Sequence, residues 1–177
     1  GNIQADRVKL VSTNLKAAKF GILPDLLGHT ECVTSVSFSP DGKYIASSES
    51  KDKTVKIWEV QTSKCITTLQ GHTGSVLSVS FSPDGKYIAS GSSDKTVKIW
   101  EVQSSKCITT LQGHTDSVLS VSFSPDGKYI ASGSGDKTVR IYANINDNWL
   151  CDKIFSSTEY PLTARNTIVK QVVISRR

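Results

Sequence analysis

Residues 71–100 read GHTGSVLSVSFSPDGKYIASGSSDKTVKIW, and residues 113–142 read GHTDSVLSVSFSPDGKYIASGSGDKTVRIY, identical at 26 of 30 positions. Residues 28–58, GHTECVTSVSFSPDGKYIASSESKDKTVKIW, are a third copy. The period is 43 residues from His29 to His72 and 42 from His72 to His114. The extra residue falls in SSESKD, where the other copies have SGSSD and SGSGD. A fixed period of this length marks a solenoid, a propeller or an array, in which each unit buries an apolar face on its neighbour.

Within a unit the pattern is that of strands. SVLSVSF (75–81) is partly apolar on both faces, as a buried inner strand is. SPDGK is a turn, with Pro83 fixing φ and Asp84-Gly85 signalling a hairpin. KYIASGS, TVKIWEV and CITTLQ supply three more strands, separated by SSDKT and SSK. TVKIWEV places Val97 and Ile99 on one face and Lys98 and Trp100 on the other. Each unit is a four-stranded meander, and no segment carries a helical period.

These residues resemble the WD repeat, whose signature is Gly-His near the start and Trp-Asp near the end. The chain has Gly28-His29, Gly71-His72 and Gly113-His114, and it ends its first two units Trp58-Glu59 and Trp100-Glu101. The resemblance covers about residues 27–143. It implies an all-β fold, a β-propeller of four-stranded antiparallel blades, with three clear repeats plus a partial or shared blade from the termini. The expected divisions are N-terminal strands over 1–27, repeats over 28–70, 71–112 and 113–154, and a C-terminal segment over 155–177.

The resemblance also implies a hydrogen-bonded tetrad inside each blade: His29, Ser47, Asp52 and Trp58; His72, Ser90, Asp94 and Trp100; His114, Ser132, Asp136 and Tyr142. The serines are the least firmly assigned of these. A His, Ser and Asp set also suggests a hydrolytic triad, but an enzyme needs that set once and this chain has it in every unit. A residue set needed once per blade is structural, satisfying buried polar groups that would otherwise cost about 1–3 kcal/mol each. The third unit departs, with Tyr142 for Trp and Ala143 for the acidic residue. The turns Asp41-Gly42, Asp84-Gly85 and Asp126-Gly127 offer one carboxylate each, too few for calcium. No metal ligand, catalytic residue or cofactor is expected.

Composition narrows the rest. The net charge of +5, from 21 basic and 16 acidic residues, is spread along the chain and does not by itself establish nucleic-acid binding. Cys32, Cys65, Cys107 and Cys151 form no CxxC pair, so reduced cysteines and an intracellular location are expected. No apolar run reaches the roughly 18 residues of a membrane span. The chain has no methionine, even at position 1, and reads as a piece of something longer.

The flanks bear on closure. DRVKLVS and FGILPDLLGHT echo third and fourth strands, and TIVKQVVIS (167–175) echoes an inner strand. Three blades alone cannot close a ring, since propellers take four to eight. The chain is a cut from a larger propeller, or self-associates into a ring of six to eight blades, or forms a tight four-bladed ring.

Differences between the copies point to where function lies. They gather in the loops entering the inner strand and joining the second and third strands: Glu31, Cys32, Glu49, Ser50, Lys51, Gly74, Ser75, Ser92, Ser93, Asp116, Ser117 and Gly135. Both loops leave the same rim, where a rigid scaffold would carry its binding residues; drift in tolerant loops explains the pattern equally. Lys43, Lys86 and Lys128 repeat on the opposite rim. The expected function is non-catalytic docking of proteins or peptides. The alternatives are a basic reader of nucleic acid or phosphorylated ligands, and the recognition part of an enzyme whose catalytic domain lies outside this stretch.

Overall fold

The structure, a computed structural model, describes residues 28–29, 31–49, 51–146 and 148–156. Their regular structure is all strand, in three four-stranded antiparallel sheets. The first holds β1 (Val33–Phe38), β2 (Tyr44–Glu49), β3 (Val55–Glu59) and β4 (Cys65–Leu69). The second holds β5 (Val76–Phe81), β6 (Tyr87–Ser92), β7 (Val97–Glu101) and β8 (Lys106–Leu111). The third holds β9 (Val118–Phe123), β10 (Tyr129–Ser134), β11 (Thr138–Ile145) and β12 (Asn148–Ser156). In every sheet the strands lie side by side in chain order, as a meander with tight turns dictates. The strand expectations for residues 1–27 and 167–175 lie outside the described residues.

The Asp-Gly turns are built alike. In the first blade the Ser39 hydroxyl donates to Asp41 Oδ1 (2.7 Å), which also accepts from the Lys43 N–H (3.0 Å). The Gly42 N–H closes the turn onto the Ser39 carbonyl at φ 70°, a left-handed conformation that glycine adopts without strain. One acceptor oxygen, one hydroxyl and one glycine therefore fix each hairpin.

The core lies in the two seams between sheets. Ala46, Val55, Ile57 and Leu69 of the first sheet pack against Val76, Val79, Phe81, Ile88 and Trp100 of the second. Ala89, Val97, Ile99 and Leu111 of the second pack against Val118, Val121, Phe123, Ile130, Tyr142 and Trp149. Burying one such side chain contributes about 1.5–3 kcal/mol. The third blade draws Trp149 from β12, edge-on to Phe123 with ring centres 5.8 Å apart.

The inner strands depart from simple alternation. A bulge between Val76 and Ser78 turns Val76 to the same side as Val79 and Phe81. Ser78 and Ser80 then face the next blade, where they accept hydrogen bonds from the N–H groups of Val121 (3.1 Å) and Phe123 (3.3 Å). Ser35 and Ser37 do the same for Val79 (3.1 Å) and Phe81 (3.0 Å). Each seam is thus sealed by apolar packing and by a ladder of serine hydroxyls.

Among the described residues the stack does not close. Val33, Val36 and Phe38, at the repeat positions of Val76, Val79 and Phe81, are 48, 63 and 62% exposed, whereas their counterparts are 0, 5 and 7%.

Phe81→Ala should lower stability by about 3–5 kcal/mol, because it empties a filled seam. Ile108→Ala, at an exposed position on β8, should cost less than about 1 kcal/mol. Urea titration read by tryptophan fluorescence compares them, and equal costs would contradict the seam as the seat of stability.

Candidate functional site

Each blade carries a chain of hydrogen bonds joining its Gly-His loop to the second and third strands. In the second blade His72 Nδ1 lies 2.7 Å from Asp94 Oδ2, and Nε2 lies 2.8 Å from Ser90 Oγ. The Trp100 indole N–H donates to the same Ser90 oxygen at 2.8 Å. The third blade repeats the histidine half, with His114 2.8 Å from Asp136 Oδ2 and 2.8 Å from Ser132 Oγ.

One arrangement of hydrogens satisfies every group. Burial raises the Asp94 carboxyl, but hydrogen bonds from the Thr96 hydroxyl, His72 and the Thr73 N–H outweigh it and bring its pKa to about 2. The carboxylate is therefore ionised and accepts only. Burial also holds His72 and His114 below the usual histidine range, against the pull of their aspartates. The imidazoles are neutral and donate Nδ1–H to the carboxylates. The serine hydroxyl then donates to Nε2 and accepts from the indole. The order of bonds is that of a hydrolytic relay, but Ser90 and Ser132 are fully buried and, in the second blade, the indole occupies the free lone pair. No substrate can reach either oxygen.

The first blade departs from the expected set. His29 Nδ1 bonds Glu49 Oε2 at 2.8 Å, and Asp52 Oδ2 stands off at 3.7 Å. Glu49 occupies the repeat position of Ser92, whose hydroxyl in the second blade accepts from the Asp94 N–H. The extra residue of the first loop carries Asp52 away, and the longer glutamate reaches into the gap. His29 Nε2 to Ser47 Oγ (2.5 Å) and the Trp58 N–H to Ser47 Oγ (2.7 Å) are kept. The Thr54 hydroxyl loses the partner that Thr96 and Thr138 have and is buried without one. The sequence signal for this was the inserted residue together with a carboxylate in place of serine.

His29, Glu49 and Asp52 also bring donor atoms within 4.8 Å of one another, a spacing a metal ion accepts. The Lys56 ammonium already stands 3.7 Å from Asp52 Oδ2 and supplies a cation there.

In the third blade the Tyr142 hydroxyl is buried near Ser132 but makes no bond of acceptable geometry, and burial pushes its pKa up. The smaller ring leaves room that Arg140 takes. The guanidinium donates to the Gly113 carbonyl at 2.8 Å and lies against Gly113 as Trp100 lies against Gly71. Both glycines have positive φ, 127° and 146°, and a Cβ at either would press on these side chains.

The rim residues meet in pairs. Lys51 Nζ and Glu31 Oε1 are 2.7 Å apart and exposed. A Cβ on Gly74 would lie 2.5 Å from Ser93 Oγ, and one on Gly135 would lie 2.7 Å from Asp116 Oδ2. The Ser93 and Gly135 N–H groups bond the Ser75 and Ser117 carbonyls. In the second and third blades a side chain on one loop sits opposite a glycine on the other, and in the first two long side chains of opposite charge meet. Cys32 is exposed on this rim. Glu49 and Ser92 correct the sequence expectation, since both are fully buried and belong to the blade interior. Ser50 lies outside the described residues. On the opposite rim Lys43 and Lys86 stand 3.5 and 3.9 Å from Asp41 and Asp84, all exposed. Lys128 is exposed there as well.

The family profile described as "WD domain, G-beta repeat" matches residues 22–59, 63–101 and 105–143, more than half of the chain. A curated relative, the "Ribosome biogenesis protein BOP1 homolog" of Drosophila virilis, is 58% identical over 43 residues, 24% of this chain and 5% of that protein. Two solved structures each have a TM-score of 0.69 over 76% of this chain. One is titled "Structure of U3-55K" (28% identical, 42% of its chain covered) and the other "Crystal structure of RRP9 WD40 repeats" (29% identical, 41% covered). The chain thus spans a small part of the curated relative and less than half of the solved ones.

Ser90→Ala unpairs both His72 and Trp100, at about 1–3 kcal/mol each; Ser132→Ala unpairs only His114 and should cost about half as much. Tyr142→Phe removes a buried hydroxyl that has no partner and should be neutral or stabilising by up to about 1 kcal/mol, whereas Trp100→Phe should destabilise. Chemical denaturation of the four variants tests the bond assignments. Stability should also fall with acid. The fold holds His72 and His114 neutral, so their contribution is complete above about pH 6.5 and is lost as pH drops through the lowered folded values. Asp94 adds a second loss from about pH 4 toward its folded value of about 2. A urea midpoint constant between pH 8 and pH 5 would contradict the neutral-imidazole assignment.

Proposed function

Because the chain belongs to the WD40 family of G-beta repeats, we propose that it is a non-catalytic interaction scaffold that docks proteins or peptides on the rim bearing Glu31, Lys51, Ser93 and Asp116. The observation that carries this reading is the contrast between frame and rim. The buried carboxylate–histidine–serine chain recurs in each blade, while the paired rim loops change charge from blade to blade. The first presents Glu31 with Lys51, the second the uncharged Gly74 with Ser93, and the third Asp116 with Gly135. A rigid frame with a varied charge pattern suits recognition of an extended peptide. The likeness to the ribosome biogenesis relative spans one repeat's length, so it supports the scaffold and leaves the partner to experiment. Four exposed free cysteines fit a reducing, intracellular setting.

Selection of peptides from a displayed library on the immobilised chain tests the reading. A selected peptide should bind at least about tenfold more weakly to the double variant Glu31→Lys, Asp116→Lys, with Lys128→Glu unchanged. If no peptide is recovered, or if a labelled single-stranded RNA binds with steep salt dependence and is released by Lys43→Glu, Lys86→Glu and Lys128→Glu, the basic-rim reading takes its place.

A further inference from the structure

The two ends of the stack carry the two halves of the seam that the chain has already formed twice. At the front end Val33, Val36 and Phe38 stand exposed in the places that Val76, Val79 and Phe81, and Val118, Val121 and Phe123, fill in buried seams. The N–H groups of Val36 and Phe38 hold the repeat positions whose N–H groups bond serine hydroxyls of the preceding blade. At the far end Ser120 and Ser122 hold the repeat positions of those serines, Ser35 with Ser37 and Ser78 with Ser80. Phe155, opposite Val139, takes the register place that Leu69 and Leu111 hold opposite Val55 and Val97. It is 47% exposed where those leucines are 1 and 6%, and Leu119, on the inner strand of the same sheet, is 56% exposed.

We propose that these ends are the two sides of one head-to-tail interface between copies of this chain, and that two copies close a six-bladed ring. The second copy is the occupant because the complementarity is demonstrated within the molecule. The same apolar triplet packs on the same alanine, valine and isoleucine face in both seams, and the same serines meet the same N–H groups. A head-to-tail contact uses different surfaces on its two sides, and it ends growth only when the rotation closes. Blades supply that rotation, and six lies within the range that propellers adopt. This surface is the stacking face of the sheets, distinct from the rim that carries the proposed docking function.

Sedimentation equilibrium of the full 177-residue chain tests it. The expected mass is twice 19.2 kDa. Phe38→Glu and Leu119→Glu each alter one exposed end, and each should weaken the dimer at least about thirtyfold, the scale of a lost interface anchor. Circular dichroism checks that both variants stay folded. Mixed together, the two variants retain one intact contact and should recover a heterodimer that neither forms alone. A monomer at every concentration overturns the proposal. So does a dimer that Leu119→Glu leaves intact, since that contact would join two front ends. Assemblies that grow beyond two copies overturn closure.

Discussion

An imidazole held between a carboxylate and a hydroxyl is the interaction on which each blade depends. In the second blade it ties the Gly-His loop to the second strand through Ser90, whose oxygen also accepts from the indole N–H. In the second blade three buried polar groups and one ionised one are satisfied by a single assignment of hydrogens, so the network has one low-energy arrangement. That uniqueness matters more than the strength of any one bond, because a partly satisfied buried network destabilises a core.

The same requirement explains the deviations. In the first blade an added loop residue withdraws Asp52, and Glu49 extends a longer side chain to take over its bond to His29. The substitution is incomplete, and the Thr54 hydroxyl is left without a partner. In the third blade the tyrosine hydroxyl lies near the serine without the alignment the indole has, and Arg140 fills the vacated space with a bond to Gly113. The frame tolerates changes of residue as long as the acceptor on Nδ1 and the packing over the glycine are restored.

Between blades a second, independent device operates. Serines on the inner strands face forward and apolar residues face back, so every sheet presents two unlike surfaces. This polarity orders the stack and leaves its two ends unlike each other. The rim above it varies from blade to blade, as an ion pair in the first and as a glycine facing a polar side chain in the second and third.

Much of this was legible in the residues. The 42- and 43-residue spacings, the Asp-Gly turns and the alternation within KYIASGS and TVKIWEV determined the strands, their order and their meander, because these are local consequences of turn chemistry and side-chain period. The His, Ser and Asp positions of the second and third blades were legible for the same reason: they recur in phase. What only the tertiary structure decided were the relations that depend on distances across the fold. The bulge at Val76 brings that side chain round to join Val79 and Phe81 against the preceding blade. Glu49 and Ser92, read as rim residues, are interior because each is the last residue of its strand, paired with Val33 or Val76 of the inner strand and covered by the loop above. Glu49 rather than Asp52 bonds His29, since reach in space, not position in the repeat, selects the carboxylate. And three copies of one sequence face differ in exposure from 5 to 63% at the Val36 position, because burial is set by the neighbour a face receives and not by its own residues.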